Sequence, residues 1–531
     1  MMQRHAVFPR IFQLPYFIRF VCAALVGAGG AWALPPDANP AALVLYHAGI
    51  LLLLETARHK RAGFGLGWAG GFGFHFIGLA WVGEAFLVDA AQFGWMRPFA
   101  MAGLPALLAL FPGLACGLWI YFARRPAPVR IALYAALFMG AEWLRGNILT
   151  GFPWNLPIQA WDRYLGVLQA VSYIGPYGVS LLTVLAACSM AAIVLTDRRT
   201  ASVTIGLCSL PLAVTAILGS WVLAEAPAVS PTVPGIKLRL VQPNVPQTEK
   251  WLPELRSAHF NQLFALSADA GSRGVTHIIW PEAATPFLLL ESQTALDAIA
   301  SIVPKNGALI TGTPRRSESS GSSATYNSIA VIDDKGTATA IYDKRHLVPF
   351  GEYVPLRNWI PADRLAPGRG DFVAGHDAGM LAVPGAPDVR PLICYEAIFP
   401  GLAASVHSPG SWLLNATNDA WFGASAGPSQ HLSIARLRAI ERRMSMIRVA
   451  NTGISAVIDP YGRIIAKIKL NTVGTLDTPL PQNFSRQSIF SKFGNAFFFV
   501  VMSAVAAAAC LFRGRSATKY PPQLRLFDIL I

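Results

Sequence analysis

The sequence predicts an α-helical membrane bundle of eight transmembrane helices joined to one α/β domain, and three observations carry that prediction. The first is composition. The chain has 531 residues, of which 53% are hydrophobic and 14% charged, where soluble domains carry about 25% charge. The second is a series of long apolar runs at both ends of the chain. The third is a change of texture after residue 225, where short β-branched runs replace the apolar stretches.

Apolar stretches of roughly 18 or more residues read as membrane spans. Seven precede residue 226, at about 16–35, 41–57, 63–82, 99–122, 131–146, 165–195 and 203–224, and an eighth covers about 493–512. The sixth contains Gly175–Pro176, a pair that predicts a kink or a re-entrant turn. Basic residues before the first run, with Ala31 and Ala33 behind it, imitate a secretory leader. The many spans that follow favour an uncleaved first helix.

The net charge of +14 sorts by loop. One alternate set of segments holds Arg4, Arg10, Arg19, Arg58, Lys60, Arg61, Arg124, Arg125, Arg130, Arg198, Arg199, Arg513, Arg515, Lys519 and Arg525, and the other set holds Arg97, Arg145 and Arg163. By the positive-inside rule both termini are expected in the cytoplasm and the large inserted domain outside it. The charge is then a topology signal, so no nucleic-acid partner is expected; anionic lipid is the one polyanion it meets.

The expected divisions are a seven-helix bundle over 1–225, an extracytoplasmic domain over 226–490, and a last span with a cytoplasmic tail over 491–531. APAVSPTVPG at 226–235 reads as a linker. Expected strands are IKLRLVQ (236–242), THIIW (276–280), ALITGT (308–313), SIAVID (328–333), ATAIYD (338–343), RPLICY (390–395), WLLNAT (412–417) and SAVIDP (455–460). Helices are expected over 252–270 and 431–449, and a polar surface loop over 315–325. Strands mixed with helices predict a layered α/β domain.

Six cysteines are present, and Cys22, Cys116, Cys188, Cys208 and Cys510 fall inside expected spans, where cysteine is an ordinary apolar filler. Cys394 is the exception. It has no disulfide partner in its domain, and on the oxidising side of a membrane an unpaired thiol is a liability unless buried or used. It ends the strand RPLIC, where α/β folds place reacting groups. A thiol nucleophile needs a base and a cation. Glu282, after the strand THIIWP, is a candidate base, its alternative being a surface carboxylate. Lys344, in YDKRHLVPFGEYVP, is a candidate cation, its alternative a solvated basic patch. No His/Cys cluster has metal-binding spacing, so no metal and no cofactor are expected.

WPE at 280–282, DKRHLVPFGEYVP at 343–355 and CYEAIFP at 394–400 resemble the three signature segments of the nitrilase, or carbon–nitrogen hydrolase, superfamily. The separations of 62 and 50 residues suit its Glu–Lys–Cys order. NATNDAWFG at 415–423 and RVANTGISAVIDPYGRI from Arg448 resemble further pieces of it. Seven spans, such a domain and one last span together resemble the bacterial apolipoprotein N-acyltransferase family over nearly the whole chain. GFPWNLPIQAW at 151–161, with Trp154, resembles that family's loop beneath the catalytic domain.

The resemblance implies a nitrilase-like αββα sandwich in the bacterial inner membrane, with the domain periplasmic. It implies that a Cys394 thioester takes an acyl chain from a phospholipid, phosphatidylethanolamine being the expected donor. The α-amine of a diacylglyceryl-cysteine at an apolipoprotein N-terminus then accepts it. Glu282 moves the protons, and Lys344 with the Tyr395 N–H meets the oxyanion. Glu352 is expected to orient Lys344 or the incoming amine, and Glu396 to bind an ammonium or support its loop. A monomer is expected. Trp154, Trp161, Phe350, Trp359, Trp421 and Phe422 are candidates for lining the entry or anchoring it, with ordinary core or belt packing as the alternative for each. Glu142 is expected to pair with Arg145, and His431 to be structural. A membrane-tethered amidase would carry the same triad, and a transporter or receptor with a ligand-binding domain is the non-enzymatic alternative.

Overall fold

The computed structural model of the chain describes residues 14–319, 322–355, 371–376, 379–402 and 411–511. Each of the eight apolar stretches forms a helix or a broken pair of helices. These are α1 (Tyr16–Gly30), α2 (Pro40–Leu54), α3 (Lys60–Gly78), the pair α4 (Arg97–Leu108) and α5 (Leu110–Trp119), α6 (Ala127–Asn147), α7 (Val171–Ser189), α8 (Arg198–Ala224) and, at the far end, Ala496–Leu511. Gly175, at φ +71°, breaks the start of α7 beside Pro176, as the Gly–Pro pair predicts.

Among the described residues, five stretches are long and apolar enough to cross a membrane: Tyr16–Ala33, Ala90–Phe122, Ala127–Asn147, Val171–Leu195 and Arg198–Ala224. This narrows the expectation of eight. α2 and the last helix are short, and α3 has 19 residues but seven glycines, which dilute its hydropathy. Those glycines bring α3 against α1. A Cβ at Gly27 would lie 1.9 Å from the Gly70 carbonyl oxygen, and one at Gly73 would lie 2.0 Å from that of Ala24. Small residues at a helix crossing let backbones approach where lipid gives no hydrophobic drive.

The α/β part is two six-stranded sheets packed face to face. The strands are β1 (Thr232–Gln242), β2 (His277–Ile279), β3 (Ala308–Ser319), β4 (Ser322–Asp333), β5 (Ala338–Asp343), β6 (Leu381–Val383), β7 (Ala386–Ile393), β8 (Trp412–Thr417), β9 (Met446–Ala450), β10 (Ser455–Ile458), β11 (Ile464–Ile468) and β12 (Gly474–Pro481). The first sheet runs β12-β1-β2-β3-β4-β5 and the second β11-β10-β9-β8-β7-β6. Leu238, Leu240, Ile310 and Val331 from one meet Ile393, Leu414, Ile447 and Val457 from the other in a shared core. α9 (Arg256–Ser267) and α10 (Gln293–Ile302) cover the first sheet. α11 (Gly427–Arg442) covers the second through Leu432, Ala435 and Ala439. Its other side sends Leu437 and Ile440 into the core of the bundle, so α11 belongs to both halves of the molecule.

Three expectations change. The helix expected over 431–449 stops at Arg442, where Arg443 takes φ +55°, and 446–450 is β9 between β8 and β10. A fully buried central strand is apolar on both faces and imitates a helix segment. Within the polar segment expected as a loop over 315–325, residues 315–319 belong to β3 and 322–325 to β4, with Arg315 opposite Tyr326 and Ser317 opposite Ala324. The linker ends early, since Thr232 already pairs with Pro481.

Candidate active site

The two sheets bring their functional side chains together at strand ends. Glu282 follows β2, Lys344 follows β5, Cys394 follows β7, and Asn418 and Asp419 follow β8. β2 lies parallel to its neighbours β1 and β3, as β8 does to β7 and β9, so loops of one polarity converge, as expected at the carboxyl ends of parallel strands.

Glu282 is held by backbone. The loop 280–284 bonds to β3 through Trp280 N to Ile310 O at 2.9 Å, Gly312 N to Pro281 O at 3.1 Å and Ala284 N to Gly312 O at 2.8 Å. The fit leaves no room at Gly312, where a Cβ would lie 2.6 Å from the Glu282 Cα. The buried Glu282 carboxylate accepts from Asn327 Nδ2 at 2.8 Å and Lys344 Nζ at 3.4 Å on Oε1, and from the Asn418 backbone N–H at 2.8 Å on Oε2. The last bond crosses from one sheet to the other.

Lys344 is 1% exposed and its Nζ donates to Glu352 Oε1 at 2.9 Å as well as to Glu282. Burial works against its charge, but Glu352 and Glu282 outweigh it and hold the ammonium protonated far above the ordinary lysine range. Glu352 also accepts from Asn327 Nδ2 at 2.8 Å and the Val348 N–H at 2.7 Å. Of its two expected roles, this geometry is that of orienting Lys344.

Cys394 is buried and takes φ +47° at the head of a helical turn over Cys394–Ile398. A non-glycine residue in this region carries strain, about 1–3 kcal/mol, that its surroundings must offset. The Tyr395 N–H belongs to the first turn, whose donors have no partner within the helix. Burial is the largest influence on the thiol and raises its pKa; Glu282 and Asp419 raise it further, while Lys344 and a hydrogen bond with Thr417 oppose. The resting sulfur is therefore a neutral thiol beside a carboxylate, an arrangement that suits proton removal during attack.

Glu396 is fully buried. It accepts from Tyr342 Oη at 2.9 Å, the Arg345 N–H at 2.8 Å, the His346 N–H at 3.2 Å and the Ile393 N–H at 2.8 Å. These donors tie the Lys344 segment to the Cys394 turn and occupy both oxygens. Tyr395 reaches away, donating through Oη to Gly151 O at 3.2 Å in the loop after α6. Trp154, fully buried in the same loop, donates to Gln430 at 2.8 Å, and Trp161 donates to Thr183 at 3.0 Å. Phe350 is 69% exposed. Trp421 and Phe422 are half-buried, and Trp359 lies outside the described residues.

Three donor atoms of Cys394, Asp419 and His431 lie within 4.8 Å of one another, an assembly that sequence spacing does not reveal. Arg448 sits among them, bonded to Asp419 Oδ2 at 2.5 Å and 3.2 Å from His431 Nδ1. A fixed guanidinium at this point is a poor neighbour for a metal cation. Burial opposes ionisation of Asp419, but Arg448 and His431 win and hold its carboxyl well below the usual range.

Sequence reading missed Lys250, Asn327, Asn418 and Gln430. Lys250 is buried, with Nζ donating to the Glu282 carbonyl at 3.2 Å. Burial pulls its pKa down to about 8 against the charges of Glu282 and Cys394. Its segment is pinned by Asn451, which exchanges two hydrogen bonds with Val245 at 3.0 and 2.7 Å. A lysine between Gln247-Thr248-Glu249 and Trp251 reads in sequence as surface charge.

The profile of the carbon-nitrogen hydrolase family matches residues 237–488, and that of the apolipoprotein N-acyltransferase N-terminal domain matches residues 26–189. The apolipoprotein N-acyltransferase of Rhodopseudomonas palustris is 41% identical over 486 residues, covering 87% of this chain and 89% of its own. That of Bradyrhizobium diazoefficiens is 41% identical over 465 residues, covering 85% and 86%. That of Brucella melitensis is 37% identical over 493 residues, covering 89% and 91%. With both halves matched and full-length relatives above a third identical, this chain belongs to the apolipoprotein N-acyltransferase family of the carbon–nitrogen hydrolases.

Proposed function

We propose that this chain is an apolipoprotein N-acyltransferase that works through a Cys394 thioester, and that Glu282, Lys344 and Cys394 are its catalytic residues. The observation that carries the reading is the convergence of Glu282, Lys344 and Cys394 at the ends of β2, β5 and β7, with Lys344 bonded to Glu282 and both charges acting on the thiol.

In the first half-reaction Glu282 takes the thiol proton as sulfur attacks the ester carbonyl of a phospholipid. The C–O bond breaks, and Glu282 returns the proton to the lysophospholipid oxygen. Lys344 and the Tyr395 N–H face the oxyanion. In the second, the α-amine of a diacylglyceryl-cysteine attacks the thioester. The C–S bond breaks, Glu282 accepts the amine proton, and the thiol is restored. Glu352 and Glu396 support the triad, and the reading assigns no cofactor. Phosphatidylethanolamine is the proposed donor, and the enzyme is proposed to act as a monomer.

Eight spans, both termini in the cytoplasm and a periplasmic domain over 226–490 complete the reading; the loop charges support it. Both substrates carry acyl chains, and drawing them into water costs about 0.8 kcal/mol per CH₂, so the reaction belongs at the membrane surface. Purified enzyme given labelled phospholipid and a diacylglyceryl peptide should release lysophospholipid and N-acyl peptide in equal amounts. Free fatty acid without N-acyl peptide would identify a hydrolase instead.

A further inference from the structure

Two adjacent residues of α11 lie between the bundle and the nucleophile, and the proton transfers use neither. Gln430 faces the bundle: its Oε1 accepts from Trp81 Nε1 at 3.1 Å and Trp154 Nε1 at 2.8 Å. His431 faces the nucleophile, with Nε2 at 3.1 Å from the Cys394 carbonyl oxygen. A carbonyl only accepts, so this contact is a hydrogen bond when Nε2 carries a proton. On the other side of the ring, Nδ1 lies against Asp419 Oδ1 at 2.9 Å and Arg448 Nη2 at 3.2 Å. Asp419 is fixed by Thr417 Oγ1 at 2.9 Å, so the ring has one orientation. Gln430, His431 and Cys394 are all buried.

The bundle side is equally fixed. Arg145 on α6 donates to the carbonyls of Phe152 and, at 2.9 Å, Trp154, and it pairs with Glu142. The Trp81, Trp154 and Phe422 rings pack together with Trp81–Phe422 centroids at 4.5 Å and Trp81–Trp154 centroids at 4.7 Å, and Trp154 stands 5.4 Å from the His431 ring. A continuous set of bonded contacts thus runs from α6 through the loop at 152–154 and α11 to the main chain of Cys394. Neighbouring residues on a helix point in different directions, so Gln430 and His431 move as one unit while touching different halves of the molecule.

We propose that His431 is a positioning residue that holds the Cys394 main chain in its left-handed conformation, and that Gln430 registers it on the bundle through Trp81 and Trp154. The sulfur is thereby aimed relative to the membrane-side loops that deliver the acyl chain. This rests on the reading of Cys394 as the nucleophile.

The test uses the full-length enzyme with phosphatidylethanolamine micelles, following thioester formation by intact mass and unfolding by thermal melt. His431→Gln keeps an N–H donor where Nε2 stands; His431→Leu keeps none. The leucine variant should form the adduct about 10- to 100-fold more slowly with donor KM little changed, as a misaimed nucleophile does. The glutamine variant should regain most of the rate, although the two melt at the same temperature. Gln430→Leu, which leaves the ring untouched, should slow the adduct in the same way. Equal rates for the two His431 variants, or an unsubstituted rate in Gln430→Leu, would overturn the inference; if His431→Leu does not fold, the Gln430→Leu rate decides alone. No adduct on the unsubstituted enzyme would overturn the nucleophile reading itself, whereas an adduct forming equally fast in every variant overturns only this one.

Discussion

At the scale of the residue, Cys394 and Lys250 show two opposite uses of burial. Burial keeps the Cys394 thiol protonated at rest, so the proposed mechanism requires Glu282 to take the proton as the bond forms. Replacing Glu282 by Gln keeps the hydrogen-bonding shape and removes the base, and should lower the rate of thioester formation by at least about 100-fold, read as the burst of lysophospholipid. Lys250 is a cation with one backbone acceptor at 3.2 Å and a pKa pulled down to about 8. Its folded pKa lies below its unfolded one, so the destabilisation from burying the charge is fully present below about pH 8 and fades as pH rises towards the ordinary lysine value. Lys250→Met should therefore melt higher at pH 7, by about 1–3 kcal/mol, and the gain should shrink between pH 8 and pH 10. The same variant should acylate more slowly, because a positive charge acting on both Glu282 and Cys394 has gone. A lower melt at pH 7 would contradict this account of Lys250.

At the scale of the element, strand ends place Glu282, Lys344 and Cys394, and in the proposed mechanism single backbone contacts set the precision of that placement. Gly312 of β3 lies against the Glu282 main chain, with no space for a Cβ. Gly312→Ala should push the 280–284 loop off β3, slowing acylation by about 10- to 100-fold and lowering the melting temperature, while Gly206→Ala, on the open face of α8, should change neither. What was legible in sequence follows from the same geometry. Glu282, Lys344 and Cys394 sit in compact motifs whose order survives any fold, and the short apolar runs of β1, β5 and β8 announce themselves. β9 did not, because a strand buried on both faces has no alternation to read. The β3–β4 extension did not, because its residues are polar and only the pairing of Arg315 with Tyr326 makes them strands. Asn327, Asn418 and Gln430 were illegible for a third reason: their partners lie 45, 136 and 276 residues away, at Glu282, Glu282 and Trp154.

At the scale of the whole molecule, the bundle and the sandwich behave as one body because α11 is shared and polar contacts cross between them. His346 Nε2 meets Thr150 O at 2.8 Å, Arg436 donates to Asp162 O at 2.7 Å, and Gln169 donates to Tyr461 O at 2.9 Å. The buried Glu142–Arg145 pair anchors the loop beneath the site. Breaking one partner of such a pair leaves a buried charge uncompensated, at about 3–5 kcal/mol. Arg145→Met should lower the melting temperature of the detergent-solubilised enzyme and slow acylation, and Arg145→Met with Glu142→Gln should recover more of the stability than of the activity, because the carbonyls of Phe152 and Trp154 still lack their donor.

The central claim is that Cys394 carries the acyl chain. Intact-mass measurement of the full-length enzyme after incubation with phosphatidylethanolamine, in the absence of acceptor peptide, tests it most directly. The account predicts one added long-chain acyl group, localised to Cys394, absent in Cys394→Ala and removed when diacylglyceryl peptide is supplied. An adduct that persists in Cys394→Ala, or N-acyl peptide formed by that variant at the unsubstituted rate, would contradict it.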